Sequence, residues 1–299
     1  MNRNFLFIVN PISGTRTKGG LEAFIRTICE EKKYVHTIIH TEPDMDMDSL
    51  SDYILKNKFT DTIICGGDGT VNMVINGLRH LDINFGIIPV GSGNGLSRGA
   101  GIPMKPREAF QIIEKGNAQA TDAFYINNHF SCMLSGIGLD AAVAQRFANG
   151  TKRGLYNYTK QTLIQFFKAH PYQFEILIDG FRFFSDAFFI SVANSNQFGN
   201  NMTIAPLASL NDGLLDIVIV QKMPKAGMPL AILKQVRGNN KLFNLAEDVG
   251  KKNIIYLQTP SLKIINHQLA PFHIDGDPVE TESELNINIV PKAFKMLVP

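Results

Sequence analysis

The stretch that most constrains this chain is Thr62-Ile63-Ile64-Cys65-Gly66-Gly67-Asp68-Gly69-Thr70-Val71-Asn72. A run rich in β-branched residues halts at three glycines within four positions, and the apolar residues Val71, Val74, Ile75 and Leu78 then follow helical spacing. The order is buried strand, tight turn, helix N-terminus. Glycine permits positive φ and lets a ligand approach main-chain N–H groups. Those groups, with the positive end of the helix dipole, favour a phosphate. Asp68 breaks that pattern, because a carboxylate repels phosphate. It suits a turn that holds a metal, orients a ribose or accepts a proton. The plainer alternative is that glycines end a strand and Asp68 caps the helix.

The flanking segments repeat the alternation. Phe5–Val9 reads as a buried strand broken at Asn10-Pro11-Ile12-Ser13-Gly14, before a helix carrying Leu21, Phe24, Ile25 and Ile28. Tyr34–His40 is a second strand ending at Thr41-Glu42-Pro43, and a helix over Asp48–Lys56 follows. Phe85–Val90 then runs into another glycine turn, Gly91-Ser92-Gly93-Asn94-Gly95, with a helix over Arg107–Glu114 beyond it. Strands alternating with helices predict right-handed βαβ units and a Rossmann-like parallel sheet. Both glycine turns fall at carboxyl ends of strands, where such sheets bind ligands. The P-loop pattern fails because Gly20 stands where its lysine belongs. Neither turn reads GxGxxG, so a dinucleotide fingerprint is not supported.

From Asp122 the pattern changes to strands, predicted at Ala123–Ile126, Phe130–Leu134, Gln173–Ile178, Phe188–Ala193, Leu215–Val220, Lys263–Ile265 and Leu285–Val290. Asn127-Asn128 and Asp179-Gly180 are hairpin signals, and helices are expected at Leu155–Lys168 and Pro229–Arg237. The expectation is an α/β nucleotide-binding domain over 1–121 and a β-sandwich over 122–290, with the tail 291–299 free to pack back on the first. A length of 299 residues suits two domains, and 44% hydrophobic with 19% charged residues is the make-up of a folded globule. A net charge of +2 with both signs dispersed argues against nucleic acid as a partner. The three cysteines form no CxxC pair and the seven histidines no HExxH pair, which argues against a zinc cluster.

Taken in order, Asn10-Pro11-x-Ser13-Gly14, Gly66–Asn72 and Pro89-x-Gly91-Ser92-Gly93-Asn94 resemble the diacylglycerol kinase catalytic domain family, which includes bacterial lipid kinases and sphingosine kinases. Gly136–Ala141, Asn211–Asp216 and Asp275-Gly276-Asp277 fit its later motifs, so the likeness covers nearly the whole chain. The resemblance implies a kinase whose ATP lies on the Gly66-Gly67-Asp68-Gly69-Thr70 turn. Asn10, Asn72, Thr41 and Ser92 would complete the nucleotide site. It also implies a magnesium ion held by Asp212, with Ser209 and the Leu214 carbonyl beside it. The family's proton acceptor maps to Asp277, where aspartate replaces glutamate and reaches one methylene less far. Ser209 stands where some relatives have an aspartate, a weaker ligand. Phosphoryl transfer needs positioning, charge neutralisation and a carboxylate near the acceptor hydroxyl. Asp68 and Asp277 both qualify for the last of these.

The acceptor implied is a lipid such as diacylglycerol or a sphingoid base, presented at a membrane surface. Leu155, Tyr158, Leu163, Phe166 and Phe167, ringed by Lys152, Arg153, Lys160 and Lys168, make a face suited to an anionic bilayer. A helix packed on the sandwich with a solvated basic side reads equally well. The N-terminal apolar run is too short for a signal peptide, and no run approaches the roughly 20 residues that span a bilayer. A cytoplasmic location with peripheral attachment to the inner face of the membrane is therefore expected, and a homodimer is allowed. Two other readings compete: an NAD kinase-like enzyme, which shares GGDG, and a nucleotide-binding regulator without catalysis. The NAD kinases' Gly-Ser-Thr-Ala-Tyr segment has no equivalent here.

Overall fold

A computed structural model describes residues 3–13, 19–139, 141–142, 170–197, 203–240, 242 and 252–299. The chain forms two compact units, Met1–Thr121 with Lys292–Pro299, and Asp122–Pro291. The expected helix over Leu155–Lys168, the segment 14–18 and Asp140 all lie outside the described residues.

In the first unit, β1 (Asn4–Val9), β2 (Val35–His40), β3 (Asp61–Gly66) and β4 (Asn84–Pro89) run parallel, in the order β4-β3-β1-β2. Their near-continuous apolar runs are those of a sheet covered on both faces. Helices α1 (Gly19–Lys32), α2 (Met47–Asn57) and α3 (Asp68–Leu78) are the crossovers. Strand order reverses after β2, so right-handed connections put α1 on one face and α2 and α3 on the other. A short helix α4 (Gly95–Gly99) follows β4, and α5 (Pro106–Lys115) closes the series. Phe110 of α5 meets Phe24 of α1 edge to face with ring centroids 6.2 Å apart, which places α5 with α1. The connections of β1 and β3 leave in opposite directions, and the crevice at such a switch point is where open α/β sheets take ligands. Lys295 and Met296 pair in parallel with Asn84 and Phe85 of β4.

The second unit is antiparallel. The long β9 (Phe181–Ala193) organises it, pairing with β8 (Tyr172–Ile178) through its first half. Its second half lies between β7 (Leu134–Gly138) and β10 (Leu215–Gln221). Burial along β9 follows that division: residues 181–187 alternate between exposed and buried, whereas 188–193 are buried on both faces. Around it stand β5 (Ala118–Ile126), β6 (His129–Ser131), β11 (Ile254–Thr259), β12 (Ser261–Asn266), β13 (Phe272–Ile274) and β14 (Asp277–Val279). The last strand, β15 (Glu284–Leu297), pairs its first half with β12. A helix α6 (Met228–Val236) follows β10. Inward residues of these strands, among them Phe124, Phe174, Ile190, Ile217, Ile255 and Phe272, fill one apolar core.

The elements differ from expectation at identifiable places. The strand predicted over Phe130–Leu134 is two strands, parted at Cys132 and Met133, whose N–H groups turn to the carboxylate of Asp275. Strands β11, β13 and β14 have no counterpart in the sequence reading. Asp179-Gly180 and Asp275-Gly276 both hold positive φ in two-residue hairpin loops, the backbone such turns require.

Candidate active site

The residues expected on the nucleotide side collect along the carboxyl edge of the parallel sheet. Asn10 follows β1, Thr41 follows β2, Gly66 ends β3, and Ser92 sits in the turn after β4. Asn10 is a hinge pin: its Nδ2 donates to Thr70 Oγ1 at 2.7 Å and its Oδ1 accepts the Ile12 N–H at 2.9 Å. Its backbone N–H donates to Cys65 O, and the Thr41 N–H donates to Val9 O, both at 3.0 Å. Ser92 and Gly69 are exposed, and Asn72 is half-buried on the first turns of α3.

The glycines of the first turn are needed for closeness, not for unusual backbone. Gly67 has φ −98° and ψ −173°, an extended conformation open to any residue, so the expected positive φ is absent there. A Cβ at Gly91 would stand 2.4 Å from Gly67 Cα, and one at Gly66 would stand 2.6 Å from Thr70 Cβ. The two glycine turns therefore touch backbone to backbone. The left-handed residue of the second turn is Asn94, with φ 54°, held by bonds from Asn94 Nδ2 to Gly91 O (2.8 Å) and from Gly91 N to Asn94 Oδ1 (3.0 Å). No side chain caps α3, which leaves its first-turn N–H groups uncovered by a cap. Asp68 is the first residue of that helix and does not cap it. Its Oδ1 accepts the Gly95 N–H at 2.7 Å, tying the start of α3 to the start of α4. Cys65, just before the turn, is buried and its thiol is pushed well up, so it is not a nucleophile.

In the second unit the Asp275-Gly276-Asp277 hairpin is anchored by its first residue. Asp275 Oδ1 accepts from Ser131 Oγ (2.5 Å), Met133 N (3.2 Å) and Leu134 N (3.1 Å), while Oδ2 accepts from Cys132 N at 3.3 Å. His273, buried, accepts the Gly276 N–H at Nδ1. The Asp277 carboxylate accepts no hydrogen bond among the described residues, although its backbone pairs with Ile274. Desolvation and then repulsion from Asp275 raise its carboxyl above the ordinary aspartate range, and His273 pulls it back. Asp277 is exposed as a residue, so solvent screening limits that rise.

Ser209, Asp212 and Leu214 lie on the loop before β10. Asp212 is exposed, its Oδ1 accepting the Leu214 N–H at 3.1 Å, and Ser209 Oγ donates to Asn211 Oδ1 at 3.0 Å. The Asp212-Gly213 pair is not a hairpin turn but a loop held from behind, for Gly213 N donates to Asp122 Oδ2 at 2.7 Å. Asp216, wholly buried, receives hydrogen bonds from Tyr256 and Gln258. Burial lifts its carboxyl to about 6 against those two bonds, with Asp212 adding to the rise. Asp122, Asn194, Asp275 and Asp216 are the site's hidden supports. Asp275 and Asp216 fall within motifs, but nothing local shows this supporting role, and nothing local marks Asp122 or Asn194, because their partners lie tens of residues away.

Among the described residues no three His, Cys, Asp or Glu side chains converge as a metal cage. The Asp212 loop offers one carboxylate, one hydroxyl and a carbonyl. That set suits a hard, largely hydrated cation such as magnesium, which keeps several waters and takes one or two carboxylates.

The diacylglycerol kinase catalytic domain matches residues 4–126, and the YegS C-terminal NAD kinase beta sandwich-like domain matches 134–298. The second match spans more than half of the chain, which therefore belongs to the family carrying the YegS C-terminal NAD kinase beta sandwich-like domain, here preceded by a diacylglycerol kinase catalytic domain. Among the relatives of this family member is the "probable lipid kinase YegS-like" of Chromohalobacter salexigens, 28% identical over 240 residues, 78% of this chain and 74% of the relative. The diacylglycerol kinase of Bacillus subtilis strain 168 is 28% identical over 225 residues, 74% of this chain and 72% of the relative. A crystal structure of a diacylglycerol kinase from Bacillus anthracis strain Sterne shares the fold with a TM-score of 0.74 at 24% identity, covering 99% of this chain and 97% of that one.

Proposed function

We propose that this protein is an ATP-dependent lipid kinase that phosphorylates a lipid hydroxyl, such as that of diacylglycerol or a sphingoid base, with Asp277 as its general base. Two glycine turns in backbone contact, Gly66–Gly69 and Gly91–Gly93, offer N–H groups at the switch point, beside an uncapped helix start. ATP phosphates belong there, with Asn10, Thr41, Thr70, Asn72 and Ser92 bordering the nucleotide. Asp212, Ser209 and the Leu214 carbonyl would hold a magnesium ion, which would supply charge neutralisation for phosphoryl transfer. The acceptor lipid is taken from a membrane surface. No helix among the described residues is long and apolar enough to cross one.

One observation favours Asp277 over Asp68 as the base. Asp68 has an oxygen committed to the Gly95 N–H, whereas the Asp277 carboxylate accepts no hydrogen bond among the described residues and has a raised pKa. A general base works best when it is free to take a proton and its pKa approaches the working pH. Asp68 is then the positioning residue of the glycine turns. Asp277→Asn should lower kcat about 10²–10⁴-fold with ATP affinity retained. Asp277→Glu, the family's residue, should keep measurable turnover. In the wild type the acid limb of kcat/KM should lie above the ordinary aspartate pKa, because the base is protonated, and silent, below its raised value. Full turnover in Asp277→Asn would move the base to Asp68. Wild type inactive on every lipid hydroxyl, with turnover appearing in Asp277→Glu, would favour a silent regulator.

A further inference from the structure

The two loops assigned to chemistry in the second unit share one buried hydrogen-bonded frame. At one end stands Asp275, whose carboxylate gathers Ser131 Oγ and the N–H groups of Cys132, Met133 and Leu134. Both carbonyls of that turn look the other way. Met133 O accepts from Asn194 N at 2.9 Å and Ser195 N at 3.0 Å, and Cys132 O accepts from Asn194 Nδ2 at 3.2 Å. The same Nδ2 donates to Asp122 O at 2.8 Å. Asp122 then grips the metal-side loop at two points: its N–H donates to Leu210 O at 2.6 Å, and its Oδ2 accepts the Gly213 N–H at 2.7 Å. Asn194 is 0% exposed and Asp122 1%.

The chemistry of Asn194 points the same way. Its amide nitrogen bridges the carbonyls of Asp122 and Cys132, at the open end of the paired β5 and β6, while among the described residues its Oδ1 is buried without a partner. A buried amide oxygen left unpaired is costly, so the side chain is retained for its two donors. Inside a protein such bonds are electrostatically stronger than in water, and a shift at one member is felt by the next.

We infer that Asn194 is a positioning residue that locks the Asp275-Gly276-Asp277 turn and the Ser209–Leu214 loop into one frame, so that disturbance of either is transmitted to the other. The roles of the loops rest on the reading under Proposed function; the coupling rests on hydrogen bonds alone. Spatial intermediacy does not establish coupling, so the test must read one loop while altering the other.

Two variants of the full chain serve, Asn194→Ser at the bridge and Asp275→Asn at its far end. Amide hydrogen exchange is followed at Met133 and Leu134 and, across the bridge, at Gly213 and Leu214. Loss of one bridging bond is expected to speed exchange about tenfold on both sides, the factor that corresponds to roughly 1.4 kcal/mol. Asp275→Asn should do so at Gly213, although the carboxylate's hydrogen bonds described above all go to residues 131–134. Both variants should raise the magnesium concentration for half-maximal turnover several-fold. Acceleration confined to one loop would overturn the inference, as would lost turnover at unchanged magnesium half-saturation, the mark of a merely structural residue. If Asn194→Ser does not fold, Asp275→Asn decides alone. Should the wild type transfer no phosphate, the functional reading falls and the exchange data still judge the coupling.

Discussion

At residue scale the site is governed by what cannot be larger. Gly91 is the sharpest case, because any Cβ there meets the backbone of Gly67 at 2.4 Å and Asn94 Oδ1 at 2.9 Å. Main chain cannot swing aside as a side chain can. Gly91→Ala should therefore destabilise by about 1–3 kcal/mol, the usual cost of overpacking, and separate the two turns. Calorimetry should show ATP affinity falling more than tenfold; unchanged affinity would mean the contact is packing alone. The glycine strings were legible in the sequence because a turn signal is local. Their mechanism was not, since the approach of residue 67 to residue 91 is a tertiary fact. Asp68 shows the same limit: its bond to Gly95 follows from the fold, not from its neighbours in the chain.

At the scale of elements, β10 and β11 enclose the carboxyl of Asp216, which burial raises to about 6. Tyr256 donates to Asp216 across the strand pair and accepts the Leu207 N–H at 2.9 Å, bracing the loop below. Folded Asp216 titrates at about 6 against an ordinary 3.8, so the folded state holds its proton more tightly than the unfolded state. Its contribution to stability is full below the ordinary value and is lost as pH rises through about 6. Between about pH 4 and pH 7 the wild type should lose roughly 3 kcal/mol that Asp216→Asn does not. Paired urea titrations measure that difference; equal losses would show that Asp216 ionises as it does in water. Strand β10 was readable from its alternation-free apolar run. Strand β11, Ile254-Ile255-Tyr256-Leu257, is a run of the same kind, yet a short apolar run suits a strand or a buried helix equally. Strands β13 and β14 span only three residues each, too few for any period to show.

At the scale of the molecule, a parallel-sheet unit carries the two glycine turns proposed for phosphate, and an antiparallel unit carries the candidate base and the candidate metal loop. The change of period near residue 121 was visible because helices give way to strands there. Asp122 and Asn194, by contrast, looked like ordinary polar residues beside strands, and their importance emerges only when 72 residues of chain fold back to join them. The central claim is transfer of the ATP γ-phosphoryl group to a lipid hydroxyl, and one measurement addresses it directly. Purified full-length protein is incubated with γ-labelled ATP, magnesium and mixed micelles, each holding one lipid: diacylglycerol, a sphingoid base, or a lipid with its free hydroxyl methylated. Label should enter the extracted lipid for at least one hydroxyl-bearing acceptor, never for the methylated control, and Asp277→Asn should abolish most of it. Label that stays in the aqueous phase with every lipid, or passes instead to NAD, would contradict the claim.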